Sequence, residues 1–168
     1  DILRWPDARL TQTCAQIQTI TTEIQTLAQD MLDTMYDAPG RGLAAPQVGV
    51  LSRVFVMDAT WKAGEPTPMA FINPEILWAS SEVQVNEEGC LSIPDTPVHV
   101  SRPERVEVMW LDAAGEQQRG AFEGFEAACI CHEIDHLDGK LFIDYLKPLK
   151  RQLITRKMVK LKREMARS

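Results

Sequence analysis

The sequence predicts an α+β fold in which small antiparallel sheets pack around a central helix carrying His132 and His136, with one further helix toward each end of the chain. Three observations predict it. Strand-like apolar runs cluster between residues 53 and 122 and are separated by turn residues, the pattern of hairpins. Apolar residues recur at helical spacing once before that block and twice after it. The 168 residues, 45% hydrophobic and 25% charged, suffice for one domain that buries a core without disulfide help.

Taken in order, the chain begins irregularly and residues 22–36 then read as a helix. Thr22 and Gln25 have capping-box spacing, Ile24, Leu27, Met31 and Met35 share one face, and Pro39-Gly40 ends it. Residues 40–49 are rich in glycine and small side chains and read as a tight loop. Strands are expected at 53–58, 70–72, 76–78, 82–85 and 105–111. The last alternates Val106, Val108 and Trp110, as a half-buried strand does. Residues 60–68 contain Gly64, Pro66 and Pro68 and should form an exposed loop. A turn at 112–115 returns the chain along 117–122 as a hairpin. A second helix is expected over 124–138, with Gly139 as its C-cap. A third should cover 148–166, where Ile154, Met158, Leu161 and Met165 form one apolar stripe. There is no internal repeat, and no apolar run approaches the roughly 18 residues that span a bilayer.

The four cysteines, Cys14, Cys90, Cys129 and Cys131, occur in a chain that is neither small nor loop-rich. Reduced thiols, one of them free for a metal, are expected over a disulfide framework. The net charge of −6 is unevenly spread. Residues 147–168 hold nine Lys and Arg against one acid, Glu164, which leaves −14 on the remainder. The basic segment is either the solvated face of an amphipathic helix or a surface for an anionic partner.

His132 and His136 lie at i and i+4, so both imidazoles leave one face of the helix. Glu133 follows the first, the arrangement that gives a catalytic metal two ligands and a base on one rigid element. Two chance histidines on a surface helix are the alternative. The chain has only three histidines, and the third, His99, is expected to be uninvolved. A catalytic ion usually has three protein ligands and a water. Downstream of His136 there is no histidine, and the only acids are Asp138, Asp144 and Glu164. Upstream, Cys90 follows Glu88-Gly89, where a glycine lets the backbone bend close to an ion. Alone, Cys90 reads as a buried structural cysteine; beside an incomplete two-histidine site it reads as the third ligand.

Three segments resemble peptide deformylases in order and spacing. They are Gly40-Arg41-Gly42-Leu43-Ala44-Ala45-Pro46-Gln47, Glu88-Gly89-Cys90-Leu91-Ser92 and His132-Glu133-Ile134-Asp135-His136-Leu137-Asp138-Gly139. The likeness extends over essentially the whole chain, as one domain over 1–168 with a basic helix at 147–168. Two positions depart from the family pattern. Arg41 replaces a hydrophobic residue, and Cys131 replaces a glutamine before the first histidine.

The resemblance implies a metal-dependent hydrolase that removes the formyl group from the N-terminal formyl-methionine of nascent polypeptides. Cys90, His132 and His136 would hold one divalent ion with a water as fourth ligand. The ion would be ferrous iron natively, with nickel, cobalt or zinc as substitutes. Glu133 would be general base and then acid. The Gln47 amide and the Leu91 N–H would stabilise the oxyanion. Gly42, flanked by Arg41, would pair its backbone with the extended substrate, and Gly89 would lie beside it. Phe125, Ala128, Cys129 and His132 would wall the methionine pocket. Glu88 and Asp135 would accept from the far ring nitrogens of the ligands, Arg102 would pair with one of these acids, and Cys131 would adjoin the site.

For the basic helix the resemblance implies contact with ribosomal RNA, and the solvated polar face stays as the alternative. No membrane partner is expected, the chain should be a monomer, and the compartment should be the bacterial cytoplasm or, for a processed form, an organelle. Rival readings are a small zinc peptidase of internal bonds with no role for Cys90, a non-catalytic ribosome-binding relative, and a structural metal domain, which would normally have four closed ligands.

Overall fold

The computed structural model describes residues 1–167; Ser168, the expected end of the domain and of its basic helix, lies outside the described residues. Helix α1 covers Thr22–Asp37. Its cap is Thr21, one residue earlier than expected, and the Thr21 hydroxyl accepts from the Ile24 N–H at 3.3 Å. Gln25 therefore forms no capping pair with Thr22; its side chain donates to the Ala113 carbonyl instead.

Strand β1, Gly42–Ala44, lies inside the stretch expected to be a loop. It pairs antiparallel with β2, Val54–Met57, aligning Gly42 with Met57 and Ala44 with Phe55. Strand β2 is buried on both faces. Val54 and Val56 join the core under α1, while Phe55 and Met57 join the core of the opposite face. The 2-residue alternation of a strand splits one apolar run between two cores.

Strand β3, Met69–Ala79, is one strand where two short ones were expected. Register shifts on either side of Glu75–Ile76 interrupt its alternation, and Pro74, which has no N–H to give, sits in the first of them. Strands β4, Val83–Cys90, and β5, Ile93–Pro103, form a separate two-stranded sheet. Sequence reading recovers only the start of β4 and none of β5, because Pro94, Asp95 and Pro97 read as breakers. A two-stranded sheet consists only of edges, where proline is tolerated. Strands β6, Arg105–Leu111, and β7, Gln117–Glu123, form the expected hairpin. The larger sheet runs β1-β2-β3-β6-β7, all antiparallel.

Helix α2, Gly124–Leu137, packs Ile130, Ile134 and Leu137 against Phe55, Phe71 and Trp110 of this sheet. The rings of Phe55 and Phe71 stack 4.4 Å apart. Helix α1 covers the other face through Met31, Leu32 and Met35. Helix α3, Pro148–Ala166, closes a third core with the β4–β5 hairpin, where Ile154 and Met158 meet Val98, Val100 and Phe142. Of the expected α3 stripe, Leu161 is half-buried and Met165 exposed, so the helix docks through its first half. Among the described residues no helix is long and apolar enough to cross a membrane.

Candidate metal centre

Helix α2 delivers His132, Glu133 and His136, all buried. Its end is held firmly. The Cys14 N–H donates to the Leu137 carbonyl, and the Arg53 guanidinium donates to that carbonyl and to Asp138. Gly139 has φ +77°, and a Cβ there would lie 2.6 Å from the Thr11 carbonyl oxygen, so only glycine lets the chain turn here. His136 is thus fixed in the last turn.

The β4–β5 hairpin delivers Cys90, which pairs with Ile93 across the turn made by Leu91 and Ser92. Its Sγ is 3.5 Å from His136 Nε2, and the two histidine Nε2 atoms are 3.2 Å apart. One ligand atom from each of the three residues falls within 4.8 Å of the others. One thiolate and two imidazoles suit zinc, iron, cobalt or nickel, and three ligands leave a position open. Glu133 Oε1 is buried without a hydrogen-bond partner among the described residues. Converging buried donors beside an unpaired carboxylate oxygen fit a catalytic ion.

The carboxylate of Glu88 lies 2.9 Å from His132 Nδ1 and so turns the ring's Nε2 toward the other donors. Arg102, 3% exposed, donates twice to Glu88, at 2.9 and 3.0 Å, and once to Asp135 at 2.6 Å. Asp135 also accepts from the Tyr145 hydroxyl, whose ring lies under the guanidinium. Asp135 thus reaches the site through Arg102, contrary to its expected place against a ligand ring: His136 Nδ1 has no partner among the described residues. Tyr145 was missed by sequence reasoning, and a single tyrosine past the helix carries no signal that could have found it.

Burial pushes the Glu133 carboxyl up to about 7, against the lowering field of His132. Burial also pushes Glu88 up, but hydrogen bonds from His132 and Arg102 outweigh it and hold the carboxyl below its usual range. For His132 burial favours the neutral ring; Cys90 and Glu88 override it and raise the group. Burial and then the charge on His132 lower His136.

The loop ending in Gln47 forms the remaining wall. The Gln47 side chain, 2% exposed, accepts from the Ala44 N–H and donates to Ser92 Oγ at 2.9 Å; its Nε2 is 3.8 Å from Cys90 Sγ. The N-terminal segment ties this loop to the hairpin turn: the Leu3 N–H donates to the Gln47 carbonyl and the Trp5 N–H to that of Ser92. A Cβ on Gly42 would lie 2.5 Å from Glu133 Oε2 and 2.8 Å from Cys129 Sγ. Gly42 is therefore the surface against which the Glu133 carboxylate rests.

An open cavity of about 1070 Å³ stands over these groups, and Gln47, Leu91, Ala128, Cys129, His132 and Glu133 line it. Arg41, Gly89 and Phe125 line it further out, with the Arg41 guanidinium 4.0 Å above the Phe125 ring. Gly89 falls at a register shift and has open space around its Cα, so the close approach expected of a glycine there is not used. Cys131 packs into the core between α2 and the sheet, and burial pushes its thiol up to about 11. His99 is exposed on β5 beside Glu87.

The family model described as polypeptide deformylase matches residues 1–152. A peptide deformylase of Afipia carboxidovorans is 51% identical over 160 residues, covering 95% of this chain and 94% of its own. The crystal structure of a peptide deformylase from Legionella pneumophila superposes with a TM-score of 0.91 at 45% identity, over 100% of this chain and 98% of that one. That of the Ehrlichia chaffeensis enzyme in complex with actinonin gives 0.93 at 36% identity, over 97% of each chain.

Proposed function

Because this chain belongs to the polypeptide deformylase family, we propose, residue by residue, how it removes the N-terminal formyl group of nascent peptides. The observation that carries the assignment is the buried Cys90–His132–His136 donor set beside the unpaired Glu133 oxygen, under an open cavity.

Cys90, His132 and His136 would hold one divalent ion, natively ferrous iron, with nickel, cobalt and zinc as substitutes. When bound, the ion supplies a Lewis acid that acidifies water at its open position. A thiolate among the ligands donates charge and weakens that acid, so the protein base matters more. Glu133 takes the proton of the attacking water and delivers it to the departing amine as the C–N bond breaks. The Gln47 amide and the Leu91 N–H donate to the oxygen on which charge develops. Support for Gln47 is its burial beside Cys90 and the bond from Ala44 that fixes its oxygen, leaving the NH₂ end toward the site. Strand β1 is the terminal strand of its sheet, so its outer edge is free to pair with an extended substrate at Gly42. The methionine side chain enters between Ala128, Cys129, His132 and Phe125, with Gly89 opposite. Glu88, positioned by Arg102 and through it by Asp135, orients His132, and Cys131 supports the helix from its core side.

The described residues act as one catalytic domain and as a monomer in a bacterial cytoplasm; the bacterial source of the relatives supports the bacterial part of this reading. Helix α3 contacts ribosomal RNA. Its buried side is apolar, while Lys150, Arg151, Arg156, Lys157 and Lys160 stay exposed. Phosphate contacts make affinity fall steeply with salt. Ribosome binding that ignores both salt and deletion of residues 149–168 would remove this role.

The deciding experiment loads the chain anaerobically with ferrous iron or nickel and follows formate release from formyl-Met-Ala alongside hydrolysis of an unformylated peptide. Formate from the first and no cleavage of the second are expected. Metal-loaded protein that releases no formate overturns the reading; cleavage of internal peptide bonds favours a peptidase. Actinonin, bound by the Ehrlichia chaffeensis relative, is expected to compete with the formyl substrate.

A further inference from the structure

Arg41 carries an exposed guanidinium at the outer part of the cavity, one residue from the glycine on which Glu133 rests. The guanidinium lies 4.0 Å over the face of Phe125, and among the described residues no carboxylate comes within ion-pair distance of it. The cations that do serve the fold are paired: Arg102 with Glu88 and Asp135, Arg53 with Asp138, Arg151 with Asp144. Arg41 is held by an aromatic platform and keeps its five donors for something else. Being delocalised and planar, a guanidinium stacked on a ring still presents its N–H edge to a carboxylate, in the bidentate geometry Arg favours.

The direction of the substrate follows from the site. Gln47 lies at the metal end of the loop, 3.8 Å from Cys90 Sγ, and Gly42 lies against Glu133. A peptide paired with β1 whose formyl end meets Gln47 and Glu133 must run antiparallel to the strand and leave past Arg41. Its methionine points into the cavity beside Ala128, Cys129 and Phe125; side chains of an extended peptide alternate in direction, so the second residue after it faces the same wall again and is the one that reaches the Arg41 guanidinium over Phe125. We propose that Arg41 is a specificity-determining residue that favours an acidic side chain two residues after the formyl-methionine and disfavours a basic one. This rests on the deformylase reading of the same site and on edge pairing at Gly42. Phe125 strengthens the contact by removing water from one face of the cation. The surrounding body is acidic, so without Arg41 the charge preference would reverse or vanish.

The test compares kcat/KM for formyl-Met-Ala-Glu-Ala, formyl-Met-Ala-Gln-Ala and formyl-Met-Ala-Lys-Ala at low ionic strength, with formyl-Met-Ala as the reference. The order Glu, Gln, Lys is expected. The Glu-to-Lys ratio should be about three- to ten-fold, the size of one attractive and one repulsive contact between exposed charges. The difference should lie in KM and shrink in high salt. In Arg41→Gln the ratio should collapse to one or invert; in Arg41→Lys, which keeps the charge but loses the stacked plane, part of it should survive. Equal rates for the Glu and Lys peptides in the parent chain, or a ratio unchanged in Arg41→Gln, overturn the inference while formyl-Met-Ala turnover leaves the deformylase reading intact. No formate from any peptide overturns both.

Discussion

Glu133 has one oxygen without a partner among the described residues, and its other oxygen lies against the one position of β1 that has no side chain. A buried carboxylate in that state costs stability, and a proton-transfer role gives it a reason to persist. Glu133→Ala should therefore keep the metal and lose turnover by about 10²–10⁴-fold, the usual share of a general base. Metal analysis and formate release on the same sample check both halves. Gly42→Ala would place a methyl group 2.5 Å from Oε2 and force the base aside. Its kcat should fall while metal content stays constant; an unchanged kcat would show that Glu133 does not rest on Gly42. At this scale the sequence was highly legible. The ligand spacing of α2 is local helix geometry, and the glycine and glutamine of the first loop stand in a contiguous string. Asp135 was legible only in part: the expected pairing of Arg102 with one of the two acids is met at both, but the Tyr145 hydroxyl, 10 residues from Asp135, was not expected, and no ligand ring turns to this carboxylate.

The loop after β2, expected only to be exposed, braces the segment that leads into β1. Asp58, fully buried, accepts from the backbone N–H groups of Thr60, Trp61 and Thr67 and from the Tyr36 hydroxyl. Trp61, fixed in this way and packed edge-on against Tyr36, donates its indole N–H to the Gly40 carbonyl at 2.8 Å. Trp61→Phe should raise KM for formyl peptides several-fold with kcat little changed, because it loosens the loop without touching Glu133. Equal losses in both constants would contradict that. Asp58 also sets an acid limit. Burial raises its carboxyl, but the Tyr36 hydroxyl and the amides outweigh burial and hold it below the ordinary value. A carboxyl lowered by folding contributes stability above its unfolded pKa of about 3.9 and loses it as pH falls through the folded value. Asp58→Asn should cost about 1–3 kcal/mol at neutral pH, and the difference from the parent should narrow below about pH 4 in denaturant titrations. The loop's glycine and prolines announced a turn, but nothing in them announced which acid it would fold around.

Across the whole molecule, three cores meet at α2 and the hairpin turn, and the three converging donors, Cys90, His132 and His136, come from both. An ion that binds only the folded arrangement stabilises it by mass action, about 2.7 kcal/mol when its free concentration is 100 times Kd. Chelation should lower Tm reversibly. Cys90→Ala should lower metal affinity and abolish most of the chelator-sensitive part of Tm; an unchanged affinity would remove Cys90 from the ligand set. The sequence by itself determined the α+β class, the three helices, the β6–β7 hairpin, and the two histidines with their base. All of these follow from periodicity or spacing within one element, where backbone geometry alone decides which side chains meet. Tertiary structure decided the length of β4 and β5, the strand hidden in the first loop, the Arg102 bridge between Glu88 and Asp135, and the platform that Phe125 makes for Arg41. Each of these joins residues far apart in the chain, and which of them meet depends on how the elements pack, not on the local preference of any segment.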